Sequence, residues 1–340
     1  MRDKQEVATD RAADYRRFGV IDGEARQSIA FFLPDTFGML PFIAAVEPLR
    51  AANRFSGQAL YQWTLLGTST ADAIANNGMK LAVDREIGSG DRFDRVIVCG
   101  PHEPLSYKDS KALRALRQYA AQGSRIGALD TGSYLLAQAD LIRHRRCTIH
   151  WENMPGFREA FPHIAVTSEL FEEDEGLFTC AGGTAALDMM LAIIRQDHGS
   201  TLALQVADLF ISTRIRAATD PQRRSIVERS GIHHAGLVSC IELMEVNLEQ
   251  PIATSELAEM VGLSSRQLER LFRTYLQTTP TLHYQALRLK AGRELLRQTT
   301  LSVMDVATAV GFASADYFSR RFRRQFGCSP TEARRRDDKV

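Results

Sequence analysis

The chain has 340 residues, of which 44% are hydrophobic and 24% charged; that length suits two domains, each able to bury a core. No apolar run approaches the roughly 20 residues needed to span a bilayer. The five cysteines (Cys99, Cys147, Cys180, Cys240, Cys328) are scattered, odd in number and without a C-x-x-C pair. Neither a disulfide framework nor a metal site is therefore expected, and a reducing cytoplasm is. The net charge of +1 hides an asymmetry: Met260 to Arg336 holds fourteen basic residues against five acidic ones, mostly arginines. Such a split predicts a polyanion-binding C-terminal domain on a mildly acidic partner domain.

Residues 1–26 are charged, with no apolar segment and no small-residue cleavage site, which predicts a short disordered tail and no secretory signal. Over 27–212 strand-like and helix-like segments alternate. Ser28–Leu33 (SIAFFL) reads as a strand, Met39–Asn53 as a helix and Tyr61–Gly67 (YQWTLLG) as a strand. An irregular stretch follows, with a turn at Asn76-Asn77-Gly78. Arg95–Cys99 (RVIVC) is a strand, Lys108–Ala121 a helix, Arg125–Leu129 (RIGAL) a strand and Gly132–Ala139 a short helix. After Cys147–His150 come a helix near Glu152–Ala160 and weaker strands near Ile164–Ser168 and Leu177–Cys180. Helices over Thr184–Gln196 and Thr201–Ser212 close the series. The alternation predicts an α/β domain with a parallel sheet flanked by helices on both faces.

Residues 213–232, opening TRIRAATDPQRRS, are polar and charged and are expected to be a linker. Residues 233–336 show no strand pattern. Helices are expected over His234–Glu249, Thr254–Val261, Ser265–Leu276, Thr281–Gln298, Ser302–Val310, Ala315–Phe326 and Pro330–Arg335, an all-α domain.

Within it one unit occurs twice. Leu257-Ala258-Glu259-Met260-Val261-Gly262-Leu263 runs on to Pro280, and Val306-Ala307-Thr308-Ala309-Val310-Gly311-Phe312 runs on to Pro330. In each, a small Ala four residues before a Gly lets two helices approach. The Gly permits the positive φ that ends the first helix. Leu263 or Phe312 plugs the angle, and Ser264 or Ser265, and Ser314, can cap the second helix. These are two helix-turn-helix units, each with an arginine-bearing second helix, which points to double-stranded DNA as the partner. On the first of these helices Arg266 and Arg270 share an exposed face opposite Leu268, Leu271 and Phe272. A helical adaptor with no DNA target leaves those two arginine-bearing turns unexplained.

The run Ala307-x-x-x-Gly311-Phe312 through Tyr317-Phe318-Ser319-Arg320-x-Phe322-Arg323-x-x-Phe326-Gly327-x-Ser329-Pro330 resembles the AraC/XylS family of bacterial transcription regulators. The resemblance covers about 235–336. It implies two units joined by a long helix, 281–298, whose reading helices enter successive major grooves roughly 34 Å apart. By that resemblance Arg266, Glu269 and Arg270, and then Ala315, Ser319 and Arg320, face base edges. Arg321, Arg323 and Arg324 are phosphate contacts or solvated charges. The resemblance also implies a homodimer on paired half-sites, and RNA polymerase as a partner.

In the first domain, Arg125–Ala137 is a strand, a sharp turn and a helix with small residues at the bend, the geometry of a nucleophile elbow. About 27–198 resembles the PfpI/ThiJ-like branch of the class I glutamine amidotransferase-like fold, and Cys147–Glu152 and Cys180–Asp188 resemble segments found when it is fused to an AraC-type domain, the GlxA-like arrangement. Enzymes of that fold carry cysteine at the elbow; here Asp130 stands there. His150 matches the family histidine, and no acid lies between Asp35 and Glu47, where a helper acid is expected. A carboxylate held ionised by helix N–H groups is a poor nucleophile. The alternative, an amidase- or glyoxalase-type enzyme with an appended helical domain, is therefore set behind a ligand-sensing domain with no cofactor.

Ligands of such sheets bind beyond the carboxyl ends of the strands. That predicts a site from Asp35, Phe37, Met39, Asp130, Thr131, Tyr134, His150, Trp151, Glu152 and Thr184, beside Gly100, Pro101 and His102. Carboxylates with aromatic rings suit a cationic amine, and the N-terminus at Gly182-Gly183-Thr184 suits a carboxylate. Ala45–Asn53 (AVEPLRAAN) and Asp130-Thr131-Gly132 most resemble regulators responding to arginine, glycine betaine or carnitine. An amino acid or quaternary amine is the effector implied, with activation of catabolic genes as the output.

Overall fold

The computed structural model describes residues 27–337; the tail expected over 1–26 lies outside them. The chain forms two units, the first ending at Gln222 and the second starting at Arg223.

The first unit is built on a seven-stranded sheet. Its strands are β1 (Gln27–Leu33), β2 (Tyr61–Gly67), β5 (Arg85–Glu86), β6 (Arg95–Cys99), β7 (Arg125–Leu129), β10 (Phe171–Asp174) and β11 (Leu177–Cys180). They lie in the order β10-β11-β7-β6-β1-β2-β5. Side chains alternate across a strand, and β1 buries both faces: Ile29, Phe31 and Leu33 enter one core layer, Ala30 and Phe32 the other. The first layer is closed by helices α1 (Met39–Ser56), α5 (Ala185–His198) and α6 (Ser200–Leu209). The second is closed by α2 (Ser110–Ala121), α3 (Gly132–Gln138) and α4 (Met154–Ala160). Burial on both faces explains why β1 and β6 read as nearly continuous apolar runs.

All neighbouring pairs are parallel except β10 with β11, so the sheet is the parallel one expected from sequence, with one antiparallel strand added at its edge. β10, with sequence FEED, escapes the sequence reading because three acidic residues in a row mask an edge strand. The fragments β3 (Ala73–Ile74) and β4 (Lys80–Leu81) form a small antiparallel pair. They, like β5, are two residues long, too short to leave a periodic trace. β8 (Arg146–Thr148) and β9 (Ala165–Thr167) pair in parallel outside the main sheet. Leu177–Cys180, which reads weakly in sequence, is a fully buried strand beside β7.

The stretch 213–232 is shared between the units. Arg216, Ala218 and Gln222 bond to the body of the first unit. Ile226–Ser230 is a short helix, α7, capped by Ser225 and Glu228.

The second unit is helical: α8 (Ala235–Val246), α9 (Thr254–Met260), α10 (Ser265–Leu276), α11 (Pro280–Gln298), α12 (Val303–Ala309), α13 (Ala315–Phe326) and α14 (Pro330–Asp337). Two cores form. One gathers Leu237, Ile241, Leu257, Ala258, Leu268, Phe272 and Tyr284; the other gathers Leu289, Leu296, Val306, Ala307, Phe312, Phe318 and Phe322. α11 supplies Tyr284 to the first and Leu289 to the second, and so joins the two helix-turn-helix units. At its Gly292 a Cβ would stand 2.8 Å from the Phe318 ring, so glycine there admits the close approach of α13.

Candidate ligand site and nucleic-acid interface

β7 delivers the chain to a bend so tight that Asp130 adopts φ 58° before α3 begins. The Asp130 N–H donates to the Cys180 carbonyl at 2.9 Å, tying the bend to the end of β11. A Cβ on Gly132 would lie 2.5 Å from the Val98 carbonyl oxygen, so only glycine can start this helix against β6. Asp130 is wedged below Gly182 and faces Gly38, whose Cβ position is 3.5 Å from an Asp130 carboxylate oxygen.

Burial pushes the Asp130 carboxyl above its ordinary range; His150 pulls it down, Glu152 pushes it up, and His102 and the Thr131 N–H pull it down again. Desolvation thus opposes the helix N–H groups expected to hold the carboxylate ionised, and it is the larger of the two effects. His150 Nδ1 lies 3.9 Å from a Glu152 carboxylate oxygen, and its ring centroid is 5.6 Å from that of Trp151. Asp130, His150, Trp151 and Glu152 are accordingly brought together, with His102 nearby.

The other expected ligand residues have different occupations. Phe37 is fully buried edge-on against Phe42, and Tyr134 is buried against Phe157 with its hydroxyl 3.4 Å from the Asn153 carbonyl. Neither ring is open to a ligand, because each fills the core beneath its loop. The Thr131 hydroxyl donates to the Pro101 carbonyl at 2.5 Å, and Asp35 accepts the Ile74 N–H at 3.3 Å. Met39 packs half-buried on the core at the start of α1. The Thr184 hydroxyl accepts from Arg216 at 2.9 Å, so the turn expected to greet a ligand carboxylate already has a guanidinium on it. Arg216 also pairs with the buried Asp188. Sequence reasoning misses both, since an arginine in a polar connecting stretch carries no periodic signal.

Three cysteines of this unit, Cys99, Cys147 and Cys180, are buried and free. Burial pushes the thiols of Cys147 and Cys180 up to about 12, and that of Cys99 higher still. None offers a thiolate nucleophile near neutrality. Among the described residues no three His, Cys, Asp or Glu side chains are grouped to hold a metal ion.

In the second unit, Gly262 and Gly311 end α9 and α12 with φ 69° and 71°. Ser264 caps α10 in a box with Gln267, and Ser314 caps α13 by accepting from the Tyr317 N–H. α10 buries Leu268, Leu271 and Phe272 and leaves Arg266, Glu269, Arg270, Arg273 and Thr274 lining one shallow groove. Glu269 is not alone there: Arg273, one turn on, reaches it at 3.5 Å. On α13, Arg320, Arg323 and Arg324 are exposed, while Ala315 and Ser319 are half-exposed.

Arg321 departs from its expected role. Its guanidinium donates to the Gln285 side chain on α11, so it clamps α13 to the joining helix. Arg288 is likewise structural: it donates to the Val310 and Gly311 carbonyls and stacks 4.2 Å from the Phe312 ring centroid. Part of the arginine excess is thus used inside the unit, and the charge count overstates the exposed face.

A profile of the DJ-1/PfpI family matches residues 27–196, and a helix-turn-helix domain profile matches residues 257–336. The HTH-type transcriptional regulator CdhR of Pseudomonas aeruginosa is 43% identical over 308 residues, 91% of each chain. GbdR of the same species is 41% identical over 91% of this chain and 84% of its own. GlxA of Rhizobium meliloti is 37% identical over 93% and 98%. A solved AraC family transcriptional regulator from Pseudomonas putida superposes with a TM-score of 0.50 at 25% identity, covering 54% of this chain and 99% of that one. No helix among the described residues is long and apolar enough to cross a membrane. The chain belongs to the HTH-type transcriptional regulators in which a DJ-1/PfpI domain precedes an AraC-type helix-turn-helix domain, and it is a DNA-binding regulator of transcription.

Proposed function

We propose that the first unit senses a small amino acid or quaternary amine, which it binds and does not consume, and that the second unit answers on DNA. The observation that carries this reading is Asp130 at the elbow. A carboxyl group with His150, His102 and Glu152 around it stands where the fold's enzymes hold a thiol. Trp151 beside His150 adds an aromatic face suited to a cationic amine. With no exposed thiol among the described residues of this unit, hydrolysis by a cysteine has no support. Arg266, Glu269, Arg270, Ala315, Ser319 and Arg320 are taken as the base-reading positions, with Arg323 and Arg324 on phosphates. The protein is read as a cytoplasmic homodimer on paired half-sites that activates catabolic genes through RNA polymerase.

Isothermal titration of the full chain with L-arginine, glycine betaine and carnitine tests the sensor. One of them should bind, and Asp130→Ala or Trp151→Ala should weaken it at least tenfold. Unchanged affinity in both variants places the site elsewhere.

A further inference from the structure

Before the second unit begins, side chains of residues 213–222 are tied to the body of the first at two places, with backbone contacts from Ala218 and Pro221 alongside. At one, the Arg216 backbone N–H donates to Asp188 Oδ1 at 2.8 Å, and its guanidinium meets Oδ2 at 2.9 and 2.7 Å and the Thr184 hydroxyl at 2.9 Å. At the other, the Gln222 amide nitrogen donates to the Thr148 hydroxyl at 3.1 Å, the Ile149 carbonyl at 3.1 Å and the Glu169 carbonyl at 2.9 Å. Between them the Leu170 N–H donates to the Ala218 carbonyl at 2.8 Å.

Each tie grips a stretch of chain next to the candidate site. Thr184 is two residues from Gly182, which covers Asp130; Ile149 is the residue before His150. The ties are unequal. Asp188 is 3% exposed, and withdrawing Arg216 would strand a buried carboxylate, so that end is fixed. Gln222 is neutral, shares one NH2 group among three oxygens, and leaves its own amide oxygen buried without a partner. Such an under-satisfied side chain is the weaker anchor. A shift of about half an ångström at Ile149 carries a bond of that length past the hydrogen-bond limit of about 3.5 Å.

We propose that Gln222 transmits occupancy of the Asp130–His150 site to the DNA-binding unit, which follows it in the chain at Arg223. A ligand that engages His150 moves Thr148 and Ile149, which hold two of the three Gln222 bonds, the Gln222 end of the strap loosens, and the start of the second unit is freed while Arg216 holds. The inference rests on the ligand reading above. Allosteric coupling of this kind is a difference in DNA affinity between occupied and empty states.

The test uses the full chain and two variants, Gln222→Ala and Gln222→Asn, the latter keeping the amide but drawing it back by one methylene. DNA affinity is measured with and without L-arginine, glycine betaine or carnitine. The wild type should change at least about fivefold with one of them; both variants should change less than twofold while binding that probe no more weakly than the wild type, since the ligand no longer has to break the tie. A wild-type-sized response in the variants overturns the proposal. Hydrogen exchange without any ligand gives a second, independent readout. Gln222→Ala should speed exchange in peptides covering 146–152 and 223–230 as well as 213–222; acceleration confined to 213–222 overturns it. If no probe alters the wild type, the ligand class is wrong, and the exchange result alone decides the role of Gln222.

Discussion

Gly182 lies so close above Asp130 that a Cβ on the glycine would stand 2.8 Å from the aspartate Cβ. Gly182 also has φ 90°. Gly182→Ala should therefore destabilise the first unit by more than the roughly 1–2 kcal/mol of a left-handed backbone alone. Gly183→Ala is the control: its φ is 55° with nothing within 4 Å, so only the backbone cost applies. Urea unfolding of both variants measures the difference; equal losses would mean that the contact with Asp130 is soft.

Asp130 sets a pH dependence. Burial raises its pKa above the ordinary 3.8, so the folded state holds the proton more tightly than the unfolded one. The associated stability is full below the ordinary value and is lost as pH rises through the raised one. Asp130→Asn should raise Tm at neutral pH, with the gain vanishing in acid. Asparagine tolerates the positive φ, which isolates the charge. A cation bound against Asp130 favours the carboxylate, so glycine betaine affinity should rise with pH through the raised range in the wild type. That slope should be absent in Asp130→Asn.

The exposed arginines of α10 and α13 should separate by role. Arg270→Ala should weaken specific DNA binding by about 1–3 kcal/mol and relax preference at one base pair. Arg324→Ala should lower affinity alike for all sequences and reduce the salt slope by about one. Fluorescence anisotropy across a salt series, on matched and scrambled duplexes, distinguishes them. Identical behaviour of the two variants would remove Arg270 from the base-reading set.

Arg288 behaves as neither. Its charged hydrogen bonds to the Val310 and Gly311 carbonyls and its stacking on Phe312 hold the second turn against α11. Arg288→Ala should cost the second unit about 2–4 kcal/mol of stability. Any loss of DNA binding should then follow unfolding, with the salt slope unchanged. A lowered slope in a fully folded variant would make Arg288 a phosphate contact instead.

What the sequence discloses follows from how long each pattern runs. α10 and α13 are legible to their end residues, because a cap, a turn glycine and a strong apolar stripe coincide in each. The elbow is legible as a motif, and with it Asp130 and His150. Tyr134 and Phe37 mislead, because an aromatic near a strand end looks the same in sequence whether it lines a site or fills the core below it. Arg321 is ambiguous until Gln285, 36 residues away, is placed beside it. Arg216 and Gln222 are invisible for the same reason: their partners, Asp188 and Ile149, are fixed by the fold and by no local spacing.

A metabolite-responsive DNA reader is tested most directly by one titration. The full chain is run against duplexes selected from a random pool, with scrambled duplex as competitor, in the presence and absence of L-arginine, glycine betaine and carnitine. A preferred sequence with two half-sites should emerge, bound at least about a hundredfold more tightly than scrambled DNA. One of the three compounds should change that affinity in the wild type and fail to do so in Asp130→Asn. Equal affinity for selected and scrambled duplex, or the same response in Asp130→Asn as in the wild type, would contradict a ligand-gated DNA reader built around Asp130.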